Sequence, residues 1–325
     1  MAVTGGPYST LLVTDCLGCH SAENTATAID PVTGAPIVYN TSGPPSYGVA
    51  NQGLAAGNFY WVAQGDDSAG HNIFAGDPDP VLSDAPGSWI GCGNPLTSCH
   101  SNLSEPDITL GPERQGCTKC HMMDNTPITS GYHHADDTDP VVDNETQGWY
   151  RYLSGHMSGD ARGVSGMEDS DWQFTSSATD HNEYFGTTGN ETMPTTGFFN
   201  LGHTTTAFCC GCHGNFHQQK INDVWVRHPA DAIIQDALEY STAFNAVAGV
   251  GVYDPQVPVA RPDFTGWTIP SGDVTLGTDM VMCLSCHKAH GSPYPDMLRW
   301  DYSEMIAGDN TKSGGCFSCH TQKND

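Results

Sequence analysis

Cys283-Leu284-Ser285-Cys286-His287-Lys288-Ala289-His290 is the stretch that decides how this chain folds, because its first five residues follow an order that recurs. The order Cys-x-x-Cys-His is found again at Cys16, Cys19 and His20, at Cys117, Cys120 and His121, at Cys209, Cys212 and His213, and at Cys316, Cys319 and His320. At this chain's cysteine and histidine frequencies chance supplies about 0.02 such motifs, so five are not accidental. Two thiols on one short turn reach the two vinyl groups of a single porphyrin as thioethers, and the following histidine falls beneath the iron. This is the attachment signature of c-type haem. A structural zinc site needs four soft ligands per ion, and a disulfide leaves the histidines without a role.

A sixth site is less regular. Cys99 and His100 have no cysteine three residues before them, but Cys92 lies seven residues upstream of Cys99. Gly93, Asn94 and Pro95 are turn formers that fold the extra residues away while both sulfurs reach one porphyrin. A singly attached haem or a disulfide are the alternatives. Six pairs account for twelve of the 13 cysteines, and the expected cofactor is six haem c groups. Cys210, the one left over, is either an inert buried thiol or an oxidised partner of Cys92, which would leave the sixth haem a single thioether.

Histidine supply then bears on function. A haem iron that only transfers electrons takes two axial ligands, whereas one that binds or activates a small molecule keeps an open position. Of the 15 histidines, His20, His100, His121, His213, His287 and His320 are proximal ligands, which leaves nine for six distal places. Bis-histidine ligation throughout is therefore affordable, and electron transfer is favoured over catalysis; no residue is assigned a catalytic role. His217 and His290, just past their motif histidines, are the leading distal candidates. His228 stands before Pro229, whose fixed φ suits the first turn of a helix. His71 follows Gly70, and the adjacent His133 and His134 follow Gly131, so their backbones have freedom beside a porphyrin. His156 is a reserve candidate, and His181 and His203 are expected to be structural or solvent-facing. Met122 and Met123, directly after His121, leave methionine ligation open at one haem.

The rest of the chain suits such groups. Only 38% of its 325 residues are hydrophobic, and it holds 37 Gly and 21 Pro. Neither helical nor alternating periodicity lasts long. Such a chain buries too little of its own apolar surface to fold alone, whereas each covalently held porphyrin supplies a large flat apolar body. The expected fold class is a multihaem cytochrome: mostly loops with few short helices, little or no sheet, and a haem-stacked core, in a single domain over 1–325. Helices are expected over Pro229 to Phe244 and over Asp296 to Ile306. There Ile233, Ile234, Ala237 and Leu238, and then Met297, Trp300 and Met305, recur at helical spacing.

A formal charge of −26, from 11 Lys plus Arg against 37 Asp plus Glu, makes nucleic acid and anionic membrane surfaces poor partners. No stretch approaches the roughly 18 consecutive apolar residues of a membrane span. Covalent haem attachment ordinarily takes place outside the cytoplasm, so a mature, processed chain is expected.

Several segments together resemble the OmcS-type extracellular nanowire cytochromes, a hexahaem, filament-forming family. They are Gly70-His71-Asn72-Ile73 with Ala75-Gly76-Asp77, Cys212-His213 with His217, Arg227-His228-Pro229-Ala230, Cys283 through His290, and Cys319-His320. Motif order and number match over nearly the whole chain. The stretch from Gly148-Trp149-Tyr150-Arg151 to Asp180-His181-Asn182-Glu183-Tyr184 is more similar to shorter tetrahaem relatives. The resemblance implies identical subunits joined head to tail in a filament, with haems in one stacked row and a histidine of one subunit ligating a haem of the next. The family places that histidine shortly after the first motif, where this chain has Ser21, Ala22 and Glu23.

These readings converge on electron transfer along six bis-histidine haems, polymerised as a conductive filament that serves an extracellular electron acceptor or redox partner. A soluble monomeric carrier is the alternative, distinguished by having every ligand internal. A multihaem reductase would need a five-coordinate iron and catalytic side chains, against which the histidine surplus argues.

Overall fold

An attachment motif is too short for more than one turn of helix, and one turn is what it forms. The computed structural model describes residues 16–47, 53–71, 73, 117, 120–121, 139–153, 163–188, 202–210, 220–221, 224–225 and 228–323. Within them Leu17–His20 and Cys283–Cys286 are single-turn α-helices and Gly315–Ser318 is a 3-10 turn. The longest helix among the described residues is Thr205–Cys210, which carries Cys209. Helices are thus few and short, as so much Gly and Pro dictates. Among the described residues no helix is long and apolar enough to cross a membrane.

Sheet is more extensive than expected. Six strands of two or three residues form one sheet in the order Val141–Val142, Gly166–Met167, Glu183–Phe185, Ala260–Arg261, Met280–Val281 and Ala232–Ile233. All neighbours are antiparallel except Glu183–Phe185 and Ala260–Arg261, where Tyr184 faces Ala260 and Phe185 faces Arg261 in parallel register. Alternation along such short strands still sorts the side chains. Tyr184, Ala260 and Met280 bury themselves with Tyr150, Val164 and Met282 in one apolar cluster. Phe244, Tyr253, Val259 and Val274 form a second, with Trp300 and Cys319 packed against it, and Ala28, Tyr47 and Leu54 form a third.

The remaining sheet positions hold a buried charge network. Arg261 Nε donates to Glu183 Oε2 at 2.9 Å, and Arg261 Nη1 pairs with Asp279. His181 stacks on Tyr253 with ring centres 3.6 Å apart and meets Glu183 Oε1 at 3.2 Å. Glu183 is 0% and Arg261 2% exposed, so neither charge has water to fall back on. Arg261→Met leaves two buried carboxylates without their cation. It is expected to destabilise the fold by about 3–5 kcal/mol, read from the denaturant midpoint at unchanged haem content.

The two expected helices are not formed. Over Pro229 to Phe244 the chain instead makes the edge strand Ala232–Ile233 and the 3-10 turns Leu238–Tyr240 and Ala243–Asn245. Asp231, Leu238 and Phe244 take φ of 50°, 54° and 54°, a left-handed conformation that no α-helix can include. Over Asp296 to Ile306 there are 3-10 turns at Pro295–Met297 and Tyr302–Glu304, with Asp296 and Met297 also at positive φ. The apolar spacing that reads as helical serves a strand edge and a series of tight turns.

Candidate haem-attachment sites

The attachment turns share one closing bond. The histidine amide donates to the carbonyl of the first cysteine at 3.0 Å for His20 and Cys16, 3.0 Å for His121 and Cys117, 3.1 Å for His287 and Cys283, and 2.9 Å for His320 and Cys316. This bond spans four residues and closes one helical turn, which brings the two cysteines to the same side. The cysteines with described side chains, at 16, 19, 117, 120, 209, 283, 286, 316 and 319, are all unbridged. Among the described residues no group of three or more His, Cys, Asp or Glu side chains converges as a site for a bare metal ion. Two free thiols on one side of a single turn, with a histidine next to the second, fit a porphyrin tethered by two thioethers.

Each described motif histidine is oriented through Nδ1. That atom meets Pro36 O at 2.9 Å in His20, Arg151 O at 2.9 Å in His121, Asp296 O at 2.7 Å in His287 and Glu239 Oε1 at 3.3 Å in His320. Carbonyl and carboxylate oxygens only accept, so Nδ1 carries the hydrogen and Nε2 keeps the lone pair that an iron takes. Two distal candidates follow the same rule: His71 Nδ1 meets Ala289 O at 2.6 Å, and His228 Nδ1 meets Pro229 O at 3.0 Å. His181 does not. Its Nδ1 faces Ser177 O at 3.1 Å and its Nε2 faces Glu183, so neither nitrogen is left for iron. His203 approaches Gly163 O through Nδ1 at 3.4 Å while stacking on Trp149. It carries a weaker form of the ligand pattern, which nothing in its local sequence signals.

Spacing between rings fits axial pairing. Two imidazoles bound to opposite sides of one iron at about 2 Å have ring centres about 6.3 Å apart. His121 and His290 lie 6.0 Å apart at an interplanar angle of 60°, and His228 and His320 lie 6.2 Å apart at 77°. Burial first, and then neighbouring His121, His71 and His20, push His290 down to about 3, which keeps its ring neutral and its lone pair free. Loss of solvation and nearby His287 also hold His71 below the usual histidine range, which places His71 beside the 283–287 turn.

Backbones must come very close to bring these rings together, and three glycines allow it. His290 N donates to Ala56 O at 2.7 Å, and Asn58 N to Gly291 O at 3.1 Å. A Cβ on Gly57 would stand 2.0 Å from Gly291 O, and one on Gly70 would stand 2.7 Å from His290 O. Gly57 and Gly291 also have φ of +85° and +138°. Neighbouring turns meet as well. A hydrogen bond that the Cys117 thiol donates to Cys16, then burial, pushes that thiol up. Cys283 Sγ lies 3.8 Å from Thr206 Oγ1 on the Cys209 helix. Cys286 and Cys319 are both pushed up to about 12, by burial and then by Cys316 and by Cys286 respectively. The attachment turns thus adjoin in the pairs 16–20 with 117–121, 205–210 with 283–287, and 283–287 with 316–320.

Cys92, Cys99, His100, Cys212, His213, Met122, Met123 and the side chain of Cys210 lie outside the described residues, as do the distal candidates His133, His134, His156 and His217.

A family model described as a doubled CXXCH motif matches residues 277–325, which contain the two turns at 283–287 and 316–320. No curated protein matches the chain. Among solved structures the chain is similar to the Outer Membrane Cytochrome S filament from Geobacter sulfurreducens, at 19% identity and a TM-score of 0.46, over 88% of this chain and 74% of that one. The doubled motif, on turns built as described, supports attachment of haem c at more than one place in the chain.

Proposed function

We propose that this chain passes electrons along six bis-histidine haem c groups and polymerises head to tail into an extracellular filament, without catalysing a reaction of its own. The observation that supports electron transfer is the spacing of His121 with His290 and of His228 with His320, which fits two axial ligands on one iron in each pair. When bound, haem c supplies an iron that takes up and gives off one electron at a time. The chain's residues do the rest. Paired cysteines fix each porphyrin edge, and acceptors at Nδ1 hold the imidazoles of His20, His71, His121, His228, His287 and His320 in one tautomer and orientation. Adjoining turns keep successive groups close, and the surrounding clusters exclude water.

The filament rests on the resemblance carried by the quoted segments, and the acidic surface suits a cationic acceptor. Electron microscopy of the native, haem-loaded protein at high concentration tests it. Long uniform filaments, with a haem completed by a neighbouring subunit's histidine, are expected. Discrete particles with every ligand internal would establish the soluble carrier instead.

A further inference from the structure

Arg299 is a buried cation for which haem attachment has no use. It is 4% exposed and closes around the 283–287 turn. Its amide donates to Cys286 O at 2.8 Å, its Nε to Leu284 O at 2.7 Å and its Nη2 to Ala55 O at 3.3 Å. These bonds satisfy carbonyls at the open end of a one-turn helix, and capping alone would explain them. Capping does not explain the charge. A buried guanidinium is costly without a counter-charge, and among the described residues no carboxylate forms an ion pair with Arg299.

Two other cations near attachment turns differ. Arg151, behind His121, pairs with Glu168, and Lys323, beside His320, pairs with Glu239. Burial pulls the Arg299 pKa down, while Tyr184, Tyr253, Cys286 and Asp254 pull it up, and a guanidinium keeps its proton regardless. Lys288, next to His287, is buried beside it, and burial first and then Arg299 pull its pKa down to about 7, so it does not supply a fixed charge there.

We propose that Arg299 is a redox-tuning residue, whose fixed positive charge raises the reduction potential of the haem attached through Cys283, Cys286 and His287. This rests on the reading of that turn as a haem c site. Reduction moves one electron from a reduced neighbouring haem to the ferric iron at this turn, with no bond made or broken. A nearby cation in surroundings of low dielectric favours the product, because the iron centre gains one negative charge. This haem then fills before neighbours that lack such a charge, and serves as a resting place for electrons within the row.

Potentiometric titration of the haem-loaded protein, followed by visible and EPR spectra, tests this. In R299Q one component should show a tenfold lower ratio of reduced to oxidised haem at fixed potential, a shift of about 59 mV to the negative side. R299K, titrated below the pH at which a buried lysine gives up its proton, should leave that component close to its original place. D254N is the independent arm, since it removes the anion that Arg299 senses while an Asn oxygen can still accept from Gln256 N. It should move the same component to the positive side, whether or not R299Q folds.

Mass analysis of a proteolytic fragment that contains the 283–287 turn and is cleaved before Cys316 establishes attachment at that turn. With haem present, an unmoved component in D254N, or an R299K shift equal to that of R299Q, overturns the proposal. A fragment without haem at this turn overturns the attachment reading and the proposal with it.

Discussion

Replacing His290 by alanine is expected to open one iron, turning the haem attached through Cys117 and Cys120 from six-coordinate low spin to five-coordinate high spin. The His290 ring stands 6.0 Å from His121, is neutral, and is fixed by stacking on Phe59 at 4.5 Å and by its backbone bond to Ala56. No other described histidine holds that position, so a small ligand should enter. The reduced variant should bind carbon monoxide at one haem, and the parent protein should bind it at none of the described pairs. A high-spin EPR signal and the carbon monoxide difference spectrum are the measurements. A fully low-spin H290A would show that His121 has a different partner.

His181→Ala provides the contrast. Both nitrogens of that ring are engaged by Ser177 and Glu183, so its removal should leave the haem spectra unchanged. It should instead lower stability by about 1–3 kcal/mol, because buried Glu183 loses a partner.

A larger loss is expected when the porphyrin at the 283–287 turn cannot be tethered. Cys283→Ser with Cys286→Ser should remove one haem, seen in the intact mass, and should leave the surrounding segment open to protease. A porphyrin covering about 400 Å² of apolar protein surface is worth on the order of 10 kcal/mol at about 25 cal/mol per Å². Whole domains are stable by only about 5–15 kcal/mol. The apolar clusters formed by the described residues are small, and this turn adjoins both the Cys209 helix and the 316–320 turn. Its failure should therefore spread to both neighbours. A double variant with one haem fewer but unchanged protease resistance would show that the protein's own clusters carry the fold.

The contrast between the 283–287 turn and the segment after His228 shows what a sequence can carry. Thioether attachment is local chemistry, with both sulfurs and the proximal histidine inside five residues, so Cys-x-x-Cys-His can be read directly and the turn that forms is the one the spacing requires. Ile233, Ile234 and Leu238 carry no such constraint. Their spacing fits a helix, but Ala232–Ile233 meets an open edge at Met280–Val281 and pairs with it, and left-handed residues on either side end any helical run. The six-stranded sheet leaves almost no trace, because strands of two or three residues are shorter than one cycle of any readable pattern.

The sequence by itself determined the Cys-x-x-Cys-His motifs that support haem c, the shortage of helix and a pool of candidate ligands that includes His71, His228 and His290. Only the tertiary structure decided how those candidates are used. Bringing the His121 and His290 rings to 6.0 Å depends on backbones meeting at Gly57, Gly70 and Gly291, and engaging both nitrogens of His181 depends on Ser177 and Glu183, the latter held by Arg261 across the sheet. Arg299 belongs to the same class, since a lone arginine shows its charge in the sequence but not its burial. The physical reason is range. A covalent tether acts over neighbouring residues, whereas ligand pairing and the electrostatics of buried charge depend on which distant segments share a volume closed to water.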